Sequence, residues 1–153
     1  MLEIRANARM DYYDSMITNR DTVTCGEHAL GCNGLTTALT PELQCSANIP
    51  GVQRVGLYPV IYYTMDAWDD LAYTRPSKSN PLLHNATAER ALVEAMLYEY
   101  FNEGILIESL ITYKTQFYNE DLLFEVADHF GLSRERLQYW LDEAEYERTH
   151  DAS

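Results

Sequence analysis

The chain has 153 residues and a formal net charge of −13, from 24 Asp and Glu against 11 Lys and Arg; this length suits one domain with a buried core, and this charge repels nucleic acid and anionic membranes. Its three cysteines, an odd number, argue against a secreted domain built on disulfides, and no stretch approaches the roughly 18 consecutive apolar residues of a membrane span. The N-terminal residues also lack the apolar run of a signal peptide, so we expect a cytoplasmic protein that does not cross a membrane.

The first part of the chain, residues 1–74, is rich in Thr, Gly, Cys and Tyr and shows little helical periodicity. We expect it to be irregular or α+β. The best strand candidate is GVQRVGLYPVIYYT, residues 51–64, which is dense in Val, Ile and Tyr, although Pro59 would place it at a sheet edge or break it. Three shorter segments are predicted to form a strand (LEIRA, 2–6), a single helical turn (TPELQ, 40–44) and a short helix (MDAWDDLAY, 65–73).

Four potential metal ligands lie within 21 residues of this part of the chain: Cys25, His28, Cys32 and Cys45. The Cys-x2-His spacing lets two ligands converge on one tetrahedral ion, so a zinc site is one interpretation. The gap before Cys32 is less regular, and no second paired knuckle closes the site. We therefore favour the alternative of reduced, partly buried thiols without a cofactor.

Residues 75–85 contain two prolines and are predicted to be a loop, and residues 86–148 carry a nearly continuous helical pattern. A first helix is expected over 86–104, with Asn85 or Thr87 as its cap and Gly104 at its end. Further helices are predicted at 105–117, 119–129 and 133–147. The predicted fold class is mainly α. A C-terminal helical bundle, within 86–153, follows an irregular or small β-containing N-terminal part in one compact domain.

The segment 126–140, VADHFGLSRERLQYW, fits the turn and second helix of a helix-turn-helix unit. Ala127 is small where two helices would cross, Gly131 can take the left-handed conformation that ends the first helix, and Ser133 is a good N-cap for the second. On these residues the chain resembles the helix-turn-helix family over about 119–147. Five apolar positions of the pattern are expected to be buried: Val126, Phe130, Leu132, Leu137 and Trp140.

The resemblance implies that the second helix lies in the DNA major groove. The groove-facing side chains would then be Ser133, Arg134, Glu135, Gln138 and Tyr139. The charge of this segment disagrees with DNA binding, because residues 118–153 contain ten acids and three bases. Phosphate neutralisation by Lys and Arg supplies most non-specific DNA affinity. The same packing also serves as a plain core or a protein-docking unit, so we expect direct nucleic-acid binding to be weak or absent.

The sequence contains no Gly-rich phosphate loop, G-x-S-x-G, H-E-x-x-H or dinucleotide fingerprint, so we expect a protein that is not an enzyme. Its twelve tyrosines offer amphipathic contact surface. We expect an interaction protein that binds a basic protein surface through an acidic face formed by Asp142, Glu143, Glu145 and Glu147. In size and charge it is similar to small acidic phage and mobile-element proteins that block host nucleases, which implies an inhibitor that imitates nucleic acid in the host cytoplasm.

Other classes of function stay open at this point. One is a helix-turn-helix transcriptional or DNA-packaging regulator, acting as a homodimer that doubles a weak contact. Another is a structural subunit of a virus particle, which would suit a front part poor in regular structure. A single sequence also leaves room for an enzyme whose site is assembled from distant residues.

Overall fold

The structure, a computed structural model, describes residues 22–38, 43–46, 51–55, 58–63, 67, 69–78, 81–98 and 102–150. At residue 43 and in 51–55 and 58–63 it describes the backbone only. The strand predicted at residues 2–6 lies outside the described residues.

Among the described residues, six short strands form one mixed sheet in the order β3-β4-β2-β1-β6-β5. The pairs β1–β2, β3–β4 and β5–β6 are antiparallel, whereas β1–β6 and β2–β4 are parallel. The strands are β1 (Thr22–Thr24), β2 (Leu43–Ser46), β3 (Gly51–Val55), β4 (Tyr58–Tyr63), β5 (Thr74–Pro76) and β6 (Leu83–Ala86).

Five helices are described, one inserted after the first strand and four consecutive in the C-terminal part. This arrangement confirms the predicted fold class, a helical C-terminal part preceded by a small β-containing part. None of the described helices is long and apolar enough to span a membrane. The helices are α1 (Gly26–Cys32), α2 (Ala88–Tyr98), α3 (Glu103–Gln116), α4 (Glu120–Phe130) and α5 (Arg134–His150).

One hydrophobic core joins the sheet to the helices. Val23 of β1, Leu30 of α1 and Leu92 of α2 are fully buried in it, together with Leu110 of α3 and Leu123 of α4. Burial of a Leu side chain contributes about 1.5–3 kcal/mol. The helical part is therefore stabilised by packing against the sheet as well as by contacts between helices.

The predicted strand at 51–64 is two strands, β3 and β4, which pair antiparallel. Pro59 does not place this segment at an edge, because β4 lies between β3 and β2. The pairing of β4 with β2 begins only at Val60, so Pro59 precedes that ladder and its missing N–H costs no hydrogen bond there.

Three further predictions in the front part are corrected where the residues are described. Leu43 and Gln44 lie in β2, not in a helical turn, and Ala67 and residues 69–73 lie in turns and irregular backbone instead of a short helix. The expected loop at 75–85 contains most of β5 and β6. Strands of three or four residues are too short to show an alternating pattern, so their partners in the sheet decide their conformation.

Gly104 does not end the first long helix, which is described as far as Tyr98. It lies in the first turn of α3, where the side chain of Asn102 accepts hydrogen bonds from the N–H groups of Gly104 and Ile105 at 2.8 and 3.3 Å. A Cβ at position 104 would lie 3.0 Å from the Asn102 oxygen, so glycine leaves room for this cap. The cap expected at Thr87 is confirmed, because its Oγ1 accepts from the Arg90 N–H at 3.3 Å.

Helix α2 also buries two charged side chains, Arg90 and Glu94, which are 0% and 1% exposed. Arg90 Nε lies 2.8 Å from Glu94 Oε1, whereas the second Glu94 oxygen has no hydrogen-bond partner among the described residues. The ion pair lies within α2, and Arg90 also ties this helix to the segment before β5. The guanidinium also donates to three backbone carbonyl oxygens there, those of Ala67, Asp70 and Ala72.

Candidate functional site

Helices α4 and α5 are joined by a tight turn at the residues that the sequence singled out. Gly131 has φ 82°, in the left-handed region, and the N–H of Leu132 donates to the Ala127 carbonyl at 2.9 Å. Ser133 Oγ accepts from the Arg136 N–H at 3.2 Å and so caps α5. Ala127 is fully buried. The structure therefore contains the predicted local elements: a helix, a glycine turn and a capped second helix.

We expect Ala127→Leu to destabilise the protein by about 1–3 kcal/mol, because extra methylene groups at a fully buried alanine overpack the core. Urea unfolding followed by circular dichroism measures the loss. Glu135→Leu, at an exposed position of α5, is the control and should change stability by no more than about 0.5 kcal/mol. An Ala127→Leu protein as stable as the original would show that α4 is not closely packed at this residue.

The side chains that would face DNA are all exposed at the start of α5: Ser133, Arg134, Glu135, Gln138 and Tyr139. Besides Ser133, which caps α5, two of them are already engaged within the chain. Arg134 lies 3.0 Å from the Asp128 carboxylate, and the Gln138 amide donates to Asp142 at 2.9 Å. The basic residue closest to the turn is therefore partly neutralised by its own helix pair.

Two other basic groups nearby, Arg148 and Lys114, are also paired with a carboxylate. Arg148 pairs with Glu145 at 2.6 Å, and Lys114 of α3 reaches the same carboxylate at 3.3 Å. The hydrogen bonds from Arg148 and then Lys114 lower the pKa of Glu145 to about 2, so it remains ionised between them. These ion pairs are exposed or only partly buried and contribute little stability, but they reduce the positive charge that this surface could offer to phosphates.

The four acids predicted to form one face divide between two surfaces of α5. Glu145 is neutralised by its two bases and Asp142 accepts the Gln138 amide, as described above. Glu143 and Glu147, one helical turn apart, instead line a groove against α3. The acidic face is therefore concentrated in this groove, which sequence reasoning on α5 alone did not identify.

We call this feature the α3–α5 groove; it is an open cavity of about 530 Å³. No Lys or Arg is among the described residues that line it. The side chains that give it its chemistry are two isoleucines, Ile107 and Ile111, and four carboxylates, Glu103, Glu108, Glu143 and Glu147.

Glu108 connects the groove to the segment after α1. Its carboxylate accepts from Thr36 Oγ1 at 3.1 Å, from the Thr37 N–H at 3.2 Å and from Thr37 Oγ1 at 3.3 Å. These donors are neutral, so they fix the position of the carboxylate without cancelling its charge. The groove therefore combines apolar surface with negative charge held in a defined place, which suits a ligand that is both apolar and cationic.

The proposed zinc ligands are only partly brought together. His28 Nε2 lies 3.4 Å from Cys32 Sγ across one turn of α1, and the Cys25 N–H donates to the Gln44 carbonyl next to Cys45. Among the described residues, no group of three or more His, Cys, Asp or Glu side chains is arranged to hold a metal ion. The four-ligand site of the zinc interpretation is therefore not assembled.

The three cysteines should react unequally. Cys25 and Cys45 are buried and Cys32 is exposed; burial, with the nearby Cys45 and Glu94, raises the pKa of Cys25 well above its usual range. Because the thiolate is the reactive form, we expect a thiol reagent to label Cys32 in the folded protein and all three cysteines after unfolding. Mass spectrometry of the labelled peptides measures this, and rapid native labelling of Cys25 would contradict the described packing.

Comparison with known proteins gives no family for the chain. No protein-family model matches this sequence, and no curated protein is significantly similar to it. Its function must therefore be argued from the chemistry of its surface.

Proposed function

We propose that this protein is a non-enzymatic interaction protein that binds a basic surface of another protein through the acidic face of α3 and α5. The observation that carries the proposal is the distribution of charge. Four carboxylates surround the α3–α5 groove without a basic side chain among its described lining, whereas Arg134, Arg148 and Lys114 are each ion-paired within the chain.

The negative charge of this surface favours a protein partner over nucleic acid. Charges are screened over about 8 Å at physiological salt, so carboxylates on a docked helix would lie within repulsive range of DNA phosphates. A basic protein surface reverses the sign of each interaction, and complementary charge increases the association rate more than it increases affinity. We therefore expect fast binding that weakens as salt is added.

The same charge distribution indicates what kind of protein the partner would be. A protein with a basic, nucleic-acid-binding groove presents the charge that this face complements, so we propose an inhibitor that occupies such a groove by imitating nucleic acid. This would be the role of a phage or mobile-element protein acting in the cytoplasm of a host. The net charge of −13 supports a role as an imitator of nucleic acid.

A DNA-binding regulator is the second candidate, and one observation favours it. The turn between α4 and α5 has the expected left-handed glycine and cap, and the side chains from Ser133 to Tyr139 that would enter the major groove are exposed. The ion pair of Arg134 with Asp128 and the acids that follow on α5 weigh against it.

Binding to two immobilised polymers separates the two candidates. We expect the protein to bind poly-lysine at low salt, to dissociate as salt rises, and to show no measurable binding to mixed-sequence duplex DNA under the same conditions. Retention on the duplex at physiological salt, lost in Arg134→Ala, would support the regulator instead. Failure to bind poly-lysine even at low salt would refute the interaction proposal.

A further inference from the structure

The floor of the α3–α5 groove is an apolar strip on α3. Ile107 and Ile111 are four residues apart, which places them about 6 Å apart along the helix axis. Ile111 packs partly against the hydrophobic core, and Ile107, one turn earlier, is half-exposed. The strip can accept apolar side chains from a partner without a rearrangement of the core.

Carboxylates of both helices line the groove together with this strip. Glu143 and Glu147 on α5 have the same one-turn spacing of about 6 Å, and Glu103 and Glu108 belong to α3. The neutral hydrogen bonds from Thr36 and Thr37 hold Glu108 in position. A ligand lying along the groove would therefore meet apolar surface together with carboxylates from both helices, those of α5 repeating once per helical turn.

From this arrangement we infer that the α3–α5 groove binds a short amphipathic basic helix of the partner protein. Its apolar side chains, four residues apart, lie on Ile107 and Ile111, and its Lys or Arg side chains flank them and reach the carboxylates. This inference rests on the proposed function and names the occupant of its site.

Three features of the groove select this occupant. The one-turn spacing of the two isoleucines, and that of Glu143 and Glu147, matches the i, i+4 spacing of side chains on a helix. The methylene stems of Lys and Arg can cover the isoleucines while their charged ends meet the glutamates. Nucleic acid and a second copy of this chain, with its charge of −13, carry the wrong net sign for this surface.

Three synthetic peptides of equal charge test the inference. The first is helical, with leucines four residues apart flanked by lysines; the second has the same composition with the leucines spread around the helix; the third is oligolysine. Fluorescence anisotropy at low salt should give an affinity for the first peptide about tenfold above the other two, the scale expected when an apolar anchor is buried beside charged pairs. Equal affinity for all three would overturn the inference while leaving the proposed function intact.

Variants of the groove locate the binding. Ile107→Ser should remove most of the preference for the first peptide over the other two. The double variant Glu143→Gln with Glu147→Gln should weaken the binding of all three peptides. Glu120→Gln with Asp121→Asn on α4 makes the same change in net charge and should have a smaller effect on binding. A preference that persists in Ile107→Ser would place the peptide elsewhere and refute the inference. If no peptide bound at any salt concentration, the proposed function itself would fail.

Discussion

Reversing Asp142, Glu143, Glu145 and Glu147 to lysine is expected to abolish binding to a basic partner. An exposed ion pair contributes about 0.2–1 kcal/mol, and reversal replaces each attraction with a repulsion, so poly-lysine affinity should fall on the order of 100-fold. Surface plasmon resonance measures the loss, mainly as slower association. The same variant should gain some affinity for duplex DNA, because its last helix would then carry positive charge toward the phosphates.

Net charge alone would also produce part of this effect, so a matched variant is needed. Four reversals placed away from the groove make the same change in total charge: Glu27, Asp69, Glu120 and Asp121 to lysine. We expect this control to retain most of its poly-lysine affinity. Equal losses in both variants would show that binding depends on total charge and not on the acidic face. Within the first variant, Glu143→Lys with Glu147→Lys should account for most of the loss, because Glu145 is already neutralised by Lys114 and Arg148.

The largest loss of stability is expected for Arg90→Met, about 3–5 kcal/mol, the usual cost of leaving one member of a buried ion pair uncompensated. The variant leaves Glu94 buried without its cation and removes the donor to three backbone carbonyl groups. Chemical denaturation measures the change. The double variant Arg90→Met with Glu94→Met should be more stable than Arg90→Met alone, because it removes the unpaired charge. A loss below about 1 kcal/mol for Arg90→Met would contradict the described burial.

The pH dependence of Arg90→Met provides a second readout. Burial raises the pKa of Glu94 above its ordinary value of 4.5, and the charge of Arg90 opposes this rise. Without Arg90 the pKa should rise further. A carboxyl group with a raised pKa in the folded state stabilises the protein below its unfolded pKa, and this stability is lost as pH rises through the folded value. The destabilisation of Arg90→Met should therefore shrink as pH falls toward 4.5 and be largest above the raised pKa, whereas Arg90→Met with Glu94→Met should lack this dependence.

The turn between α4 and α5 could be predicted from the sequence because its determinants are local. Gly131 adopts the left-handed conformation that few other residues tolerate, and Ser133 caps the helix that begins one residue later. Ala127 and Leu132 are buried as the pattern required. These residues act over a few positions, so a window of sequence contains most of what decides their structure.

The sheet could not be predicted in the same way. β1 lies between β2 and β6, and β6 begins about 60 residues after β1 ends, so the pairing depends on contacts distant in sequence. The burial of Arg90 and Glu94 could not be predicted either, since charged residues on a helix are usually solvated. In the structure, backbone carbonyl groups of the segment before β5 accept hydrogen bonds from Arg90, which explains why α2 can bury the pair.

The candidate site was predicted in part. Glu143 and Glu147 were identified from the acid-rich end of α5, but the opposite wall and the apolar floor come from α3, about 40 residues earlier. Glu103 and Glu108 are five residues apart and do not form a recognisable motif. Their common position beside Ile107 became visible only when α3 and α5 were packed together.

The most direct test of the central claim is to map where a basic partner contacts the protein. In a nuclear magnetic resonance titration of the isotope-labelled chain with the amphipathic lysine–leucine peptide, we predict amide shifts that cluster at Ile107, Glu143 and Glu147, and no comparable shifts with duplex DNA at physiological salt. Shifts at residues 133–139 on addition of the duplex, abolished by Arg134→Ala, with the groove unaffected by the peptide, would contradict the account and favour a DNA-binding function.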